Sequence, residues 1–276
     1  MRLFLCGGGS DEKTVDANKK LNEIIDHNKP ILYVPLAMDE EKHPYDGCLE
    51  WVKGELASVK VPNIEMIRTF EELASKNYND YSAIFIGGGN TFKLLKGIKD
   101  SGAFYKIKDY IEHDGIVYGG SAGAIIFGYD IDSCASMDSN DVGLQDTKGF
   151  DVLDGISIFA HYTNHSSKLT EEENLLRDEK YTNALQKFSF DKGQVIALPE
   201  EDTIFINGND VEVIGTLPYY RFRNGARSTI EIEYKGAIKI KWFLTNWYNY
   251  GILILLLKGR DYYVKTINYD NLYNNK

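Results

Sequence analysis

One serine in this chain sits in the setting that nucleophilic catalysis demands. Gly119-Gly120-Ser121-Ala122-Gly123 fits G-x-S-x-G, follows the apolar run 116–118 and leads into Ala124-Ile125-Ile126-Phe127. A strand that turns sharply into a helix lifts such a hydroxyl clear of the sheet, and the next amide, that of Ala122, points where an oxyanion would form. The same residues would also suit a packed strand–helix turn, or an anion cradle at a helix start. Gly87-Gly88-Gly89-Asn90-Thr91 follows another apolar run, 83–86, and three glycines there let backbone approach a ligand closely. That loop offers a second oxyanion donor. It lacks G-x-G-x-x-G and a following Lys-Ser/Thr, so neither the dinucleotide nor the P-loop fingerprint applies. Gly7-Gly8-Gly9-Ser10 reads as plain turn chemistry.

A serine nucleophile needs a base within hydrogen-bond reach. Of five histidines, His27 and His113 fall at predicted helix ends and His43 precedes Pro44 in a charged loop. His161 differs, because it emerges from the apolar run 156–160, at the edge where open α/β sheets bind ligands. A structural histidine is the competing reading, and His165, four positions on, is the alternative base. The acid that would orient the imidazole falls in Leu198-Pro199-Glu200-Glu201-Asp202, after the run 195–198. Asp138 and Asp141 are its rivals.

These groups need a scaffold that brings several strand ends together. Apolar runs at 3–6, 31–35, 64–68, 83–86 and 116–118 alternate with helical patterns at 12–27, 45–57, 71–76, 91–96 and 104–112. Strands that are apolar throughout, separated by helices, indicate a parallel sheet covered on both faces. Beyond residue 150 the rhythm loosens: runs at 156–160, 195–198, 203–206 and 211–214, and a long acidic helix over 170–188. Residues 229–242 alternate with period two about Lys235-Gly236, a hairpin pattern.

The 276 residues carry 31 Lys+Arg against 41 Asp+Glu, a net charge of −10, which argues against a nucleic-acid partner. Cys6, Cys48 and Cys134 are odd in number and far apart, so neither a disulfide framework nor a zinc site is expected, and a cytoplasmic location is. No export signal is read at the N-terminus. The most apolar stretch, 242–257, is short of the ~20 residues that a membrane span needs.

Taken together, Gly87-Gly88-Gly89-Asn90-Thr91-Phe92, Gly120-Ser121-Ala122-Gly123-Ala124, Gly149-Phe150-Asp151-Val152-Leu153, His161-Tyr162-Thr163-Asn164 and Leu198-Pro199-Glu200 resemble the dipeptidase E (aspartyl dipeptidase) family of serine peptidases, which also includes cyanophycinase. The resemblance covers roughly residues 1–220. It implies a flavodoxin-like three-layer α/β sandwich with a mostly parallel sheet, related to class I glutamine amidotransferases. It implies a triad of Ser121, His161 and Glu200, oxyanion donors at the amides of Gly89 and Ala122, and substrate contacts at Asn90, Tyr162, Thr163 and Glu172. It further implies short peptides as substrates, no metal or cofactor, and a homodimer as an option.

One position departs from that family. Members that cleave aspartyl dipeptides carry an Arg, in the segment after the histidine loop, that reads the substrate's N-terminal Asp. Here Glu172 stands at that position, and neither Lys168 nor Arg177 has its spacing. A carboxylate facing a carboxylate costs affinity, so strict preference for N-terminal Asp is not expected. Glu171–Glu173 would suit an arginine-rich substrate such as cyanophycin, or form a solvated helix face. A catalytically silent, peptide-binding homologue is the reading from another class. The recognised domain, 1–235, leaves an extension, 236–276, of unknown role. That extension has a balance of +4 and contains Trp242, Trp247 and the run Ile252-Leu253-Ile254-Leu255-Leu256-Leu257, which needs burial.

Overall fold

The apolar runs become strands whose two faces are both covered. The computed structural model describes residues 1–232 and, further on, strands 252–258 and 261–267. In chain order its elements are β1 (Arg2–Cys6), α1 (Val15–Ile24), β2 (Ile31–Val34), α2 (Tyr45–Glu55), β3 (Ile64–Met66), α3 (Phe70–Ser75), β4 (Ala83–Ile86), α4 (Thr91–Asp100), α5 (Ala103–Glu112), β5 (Ile116–Gly120), α6 (Ala122–Ile125), β6 (Ser157–Phe159), α7 (Glu171–Asp191), β7 (Val195–Ala197), β8 (Thr203–Asn207), β9 (Asp210–Ile214), β10 (Tyr219–Arg223), β11 (Ala226–Ile230), β12 (Ile252–Lys258) and β13 (Asp261–Ile267). A seven-stranded sheet runs β3-β2-β4-β5-β1-β8-β9. Its first five strands are parallel, and β8 and β9 complete it antiparallel.

Alternation along each strand divides the core in two. Leu3, Leu5, Ile84, Ile86 and Val117 face α4 and α5 through Leu94, Leu95, Ile98 and Ile107. Phe4, Phe85 and Tyr118 face α1 and α2 through Ala17, Leu21 and Val52. On that second face one aromatic ladder crosses five strands. Tyr33, Phe85, Tyr118, Phe4 and Phe205 are successive register partners. Their neighbouring rings lie 4.6–5.7 Å apart. Cross-strand aromatic pairs of this kind pin register. The consequence is that β1, β4 and β5 end level, with Leu5 and Ile86 both opposite Gly119. The architecture is a flavodoxin-like α/β sandwich of the class I glutamine amidotransferase type, as the sequence led us to expect.

A second sheet, β11-β10-β7-β6, was not legible in the sequence. Its β6 and β7 are parallel and joined through α7, while β10 and β11 add antiparallel. This sheet contains a hairpin that the sequence reading did not mark. Tyr219–Arg223 pairs with Ala226–Ile230 about Asn224-Gly225, both at positive φ (51° and 79°), the geometry that Asn-Gly hairpin turns adopt. The Lys235-Gly236 turn, and Trp242 and Trp247, lie outside the described residues. The first helix also differs. A 3-10 turn, Asp11–Lys13, precedes α1, because Asp11 N–H and the Thr14 hydroxyl are drawn to Glu55 on α2.

The chain divides into two compact units, Met1–Lys241 and Trp242–Lys276. In the second, β12 and β13 pair antiparallel, with Ile252 opposite Ile267 and Lys258 opposite Asp261. No helix among the described residues is long and apolar enough to cross a membrane.

Candidate active site

Ser121 leaves β5 at φ 52° and ψ −112°, outside the regions that side-chain-bearing residues favour. Packing holds it there. A Cβ on Gly119 would meet Gly123 O at 2.2 Å, and one on Gly123 would meet Ile86 O at 2.1 Å. Glycine at these two positions is therefore what lets β4, β5 and α6 approach so closely. The Ser121 amide donates to Cys6 O (3.2 Å), tying the elbow to β1.

The loop after β4 borders the hydroxyl. A Cβ on Gly88 would lie 3.6 Å from Ser121 Oγ. Gly89 takes φ +134°, and a Cβ there would strike Ala37 O at 2.4 Å. The amides of Gly89 and Ala122 donate to no protein acceptor among the described residues.

His161 follows β6 at φ 56°, and its amide donates to Gly7 O (2.8 Å). Its Nε2 lies 2.8 Å from Ser121 Oγ, and its Nδ1 lies 2.8 Å from Glu200 Oε1. An ionised carboxylate can only accept, so Nδ1 carries the proton and Nε2 is free to accept from the serine. Glu200 follows β7. Its amide donates to Asn164 Oδ1 (2.8 Å), and its carbonyl accepts from Gly9 N–H (3.1 Å). The hydrogen bond from His161 and then the Lys13 ammonium, working against burial, bring its carboxyl down to about 2. Glu200 is thus a carboxylate throughout the neutral range.

The remaining predicted residues fall elsewhere. Asp138, the rival acid, accepts from Thr91 N–H (2.8 Å) and the Thr91 hydroxyl (2.6 Å) at the start of α4, with no bond to His161. Asp141 accepts from the Ser139 hydroxyl. His165 pairs with Asp178 at 2.9 Å, away from the serine. Asn90 caps α4: its Oδ1 accepts from Lys93 N–H and its Nδ2 donates to Ser139 O, so its amide is committed to the scaffold. Tyr162 is 1% exposed and packs against Phe159, Tyr220 and Phe222, its hydroxyl bonded to Thr182. Its side chain is thus core. Thr163 is half-buried at φ 61°, its hydroxyl donating to Tyr162 O. Glu172 is exposed on the first turn of α7. The acidic cluster there has a local use, since Glu173 closes a capping box with Thr170. Gly149-Phe150-Asp151-Val152-Leu153 is scaffold too: Phe150 stacks between Phe104 (4.3 Å) and Phe127 (4.8 Å).

Three residues take roles that the sequence reading did not give them. Gly8, at φ +106°, forms the seat of the imidazole: a Cβ there would meet His161 Cε1 at 2.2 Å. Lys13 reaches Glu200 Oε2 at 2.6 Å. Arg177 bonds the carbonyl of Asn164, in the loop after His161. The available signal was a glycine run at the end of a central strand, which marks backbone approached closely by something else. The cysteines are no rivals as nucleophiles, since burial pushes the Cys6 thiol up to about 12 and raises Cys134 as well. Among the described residues, no three His, Cys, Asp or Glu cluster as a metal site would require.

A hydroxyl, an imidazole and a carboxylate in series, beside two free backbone amides, can transfer an acyl group. Residues 3–214 match the family model of peptidase family S51, and the chain belongs to that family. By class it is a peptide-bond hydrolase. It is 29% identical over 190 residues to Peptidase E of Pasteurella multocida, covering 68% of this chain and 75% of that one. It is 36% identical over 84 residues to Peptidase E of Salmonella newport, covering 29% and 34%. The fold is similar to a putative peptidase E protein from Listeria monocytogenes, with a TM-score of 0.58 at 23% identity, covering 78% of this chain and 98% of that one. A peptidase from an acI-B1 Actinobacterium is similar at a TM-score of 0.60 and 16% identity, covering 87% and 96%.

Proposed function

We propose that this protein is a serine peptidase that hydrolyses short peptides through an acyl-enzyme. The observation that carries the proposal is the unbroken series Ser121 Oγ–His161 Nε2 (2.8 Å) and His161 Nδ1–Glu200 Oε1 (2.8 Å). Ser121 Oγ attacks the carbonyl carbon as His161 Nε2 takes its proton. The charge that develops on the carbonyl oxygen meets the amides of Gly89 and Ala122. The C–N bond breaks as His161 passes that proton to the leaving amine. Water, deprotonated by His161, then attacks the ester carbonyl, releasing the acid and restoring the serine. Glu200 stays ionised and keeps the imidazole in the productive tautomer.

The substrate reading is that N-terminal Asp is not preferred. It is supported by Glu172, which stands where aspartyl dipeptidases of the resembled family carry an Arg. The reading includes a cytoplasmic location, supported by three cysteines that are all free thiols.

The test is amine release from a panel of dipeptides and cyanophycin, with wild type and Ser121→Ala. Neutral or basic dipeptides should be cleaved faster than Asp-X dipeptides, and the variant should cleave none. Faster Asp-X cleavage overturns the specificity reading. Turnover by Ser121→Ala at the wild-type rate overturns the mechanism, and an inert wild type favours a silent peptide-binding homologue.

A further inference from the structure

The turn after β1 reaches the acid of the relay from its far side. Glu200 presents two carboxylate oxygens, and different partners take them. Oε1 accepts from His161 Nδ1 at 2.8 Å, and Oε2 accepts from Lys13 Nζ at 2.6 Å. A glutamate held by one hydrogen bond can rotate about three side-chain bonds. A second, charge-assisted bond to the other oxygen fixes the plane of the carboxylate.

Lys13 is itself held. Its backbone amide donates to Ser10 O (3.1 Å), and its Nζ also contacts Glu201 Oε1 at 3.1 Å. Glu201 accepts from Asn164 Nδ2 (3.4 Å), and Asn164 Oδ1 receives the Glu200 amide (2.8 Å). A ring of contacts therefore joins the β1 turn, the loop after His161 and the loop after β7. We propose that Lys13 is a positioning residue of the peptidase: its ammonium sets the orientation of Glu200 toward His161 and offsets part of the carboxylate's charge. This rests on the Ser121–His161–Glu200 reading above.

The charged groups around the pair decide the sign. Glu200 faces His161 from the β6 loop, Lys13 from the β1 turn and Glu201 on its own loop, with Asp202 buried two positions on. Lys13 faces Glu200 and Glu201, and lines a cleft with Glu12 and Asp16. Lys13 is the cation among these acids, and it lies on the carboxylate that stabilises protonated His161. Without it, Oε2 loses its charge-assisted partner among like charges, and Glu200 is held toward His161 less firmly.

The experiment uses the whole protein and an alkyl fluorophosphonate. In that reaction Ser121 Oγ forms a bond to phosphorus, fluoride leaves, and the serine proton passes to His161. The second-order labelling rate is measured at neutral pH for wild type, Lys13→Met and Lys13→Arg, with folding of each variant checked by thermal unfolding. For Lys13→Met the rate should fall about tenfold. Lys13→Arg, which keeps the charge on Glu200, should retain a rate close to wild type. A Lys13→Met rate equal to wild type overturns the role of Lys13 alone. So does a Lys13→Arg rate as low as that of Lys13→Met. Wild type that is not labelled at Ser121 overturns the peptidase mechanism, and the role of Lys13 with it.

Discussion

On the proposed reading, Ser121 and its neighbours owe their reactivity to where the backbone puts them. The elbow at φ 52° is held by glycines and not by the hydroxyl, so Ser121→Ala should remove the chemistry and leave the fold. Turnover should drop by about 10⁴-fold or more, with a thermal midpoint close to wild type. Two acids on one loop, Glu200 half-buried and Asp202 buried, should respond to pH in opposite senses. Glu200, lowered from 4.5 to about 2, contributes stability that is present above 4.5 and lost as pH falls through 2. Asp202 is fully buried, and burial pushes its carboxyl up to about 7. It favours the folded state at low pH, and that contribution is lost between 3.8 and about 7, where only the unfolded chain ionises. The shift corresponds to about 4 kcal/mol. In urea titrations Asp202→Asn should therefore gain on wild type from pH 4 to 7. A difference that stays flat over that range would contradict the assignment. Ser121, His161 and Glu200 were legible as residues because each follows an apolar run. Lys13 was not, because its partner lies 187 positions away and a lone lysine carries no periodic signal.

Elements position these residues by ending level. The register ladder from Tyr33 to Phe205 aligns β1, β4 and β5, so their three glycine-rich exits meet at one edge. The sequence announced that sheet because strands covered on both faces read as unbroken apolar runs. The second sheet stayed hidden for the opposite reason. Its β6 and β7 are three residues each, and β10 and β11 carry Arg221, Arg223 and Arg227 on faces that are partly exposed. The β1 exit was misread as an ordinary turn, whereas its glycines leave room for the imidazole. Gly8→Ala should therefore displace His161. We expect activity to fall about 10²-fold and stability by about 1–3 kcal/mol. Gly102→Ala, also at positive φ but with open space around it, should cost stability alone. Equal activity in the two variants would show that Gly8 is not a seat.

At the scale of the molecule, every group assigned to the chemistry lies between Gly8 and Glu200, inside the unit Met1–Lys241 and inside the 3–214 family match. The +4 balance of 236–276 means that this body is more acidic than the overall −10. The apolar run from Ile252 is a strand, β12, paired along its length with β13. A chain ended after Lys241 should keep the labelling rate of the full protein, and loss of labelling in a folded truncation would tie the tail to the site. The central claim is that Ser121 is the nucleophile of a serine peptidase, poised by His161 and Glu200. Its most direct test is mass mapping of the alkyl fluorophosphonate adduct. The account predicts one adduct, on the peptide that contains Ser121, absent in Ser121→Ala and strongly slowed in His161→Ala. An adduct on any other residue, or one that survives Ser121→Ala, would contradict it.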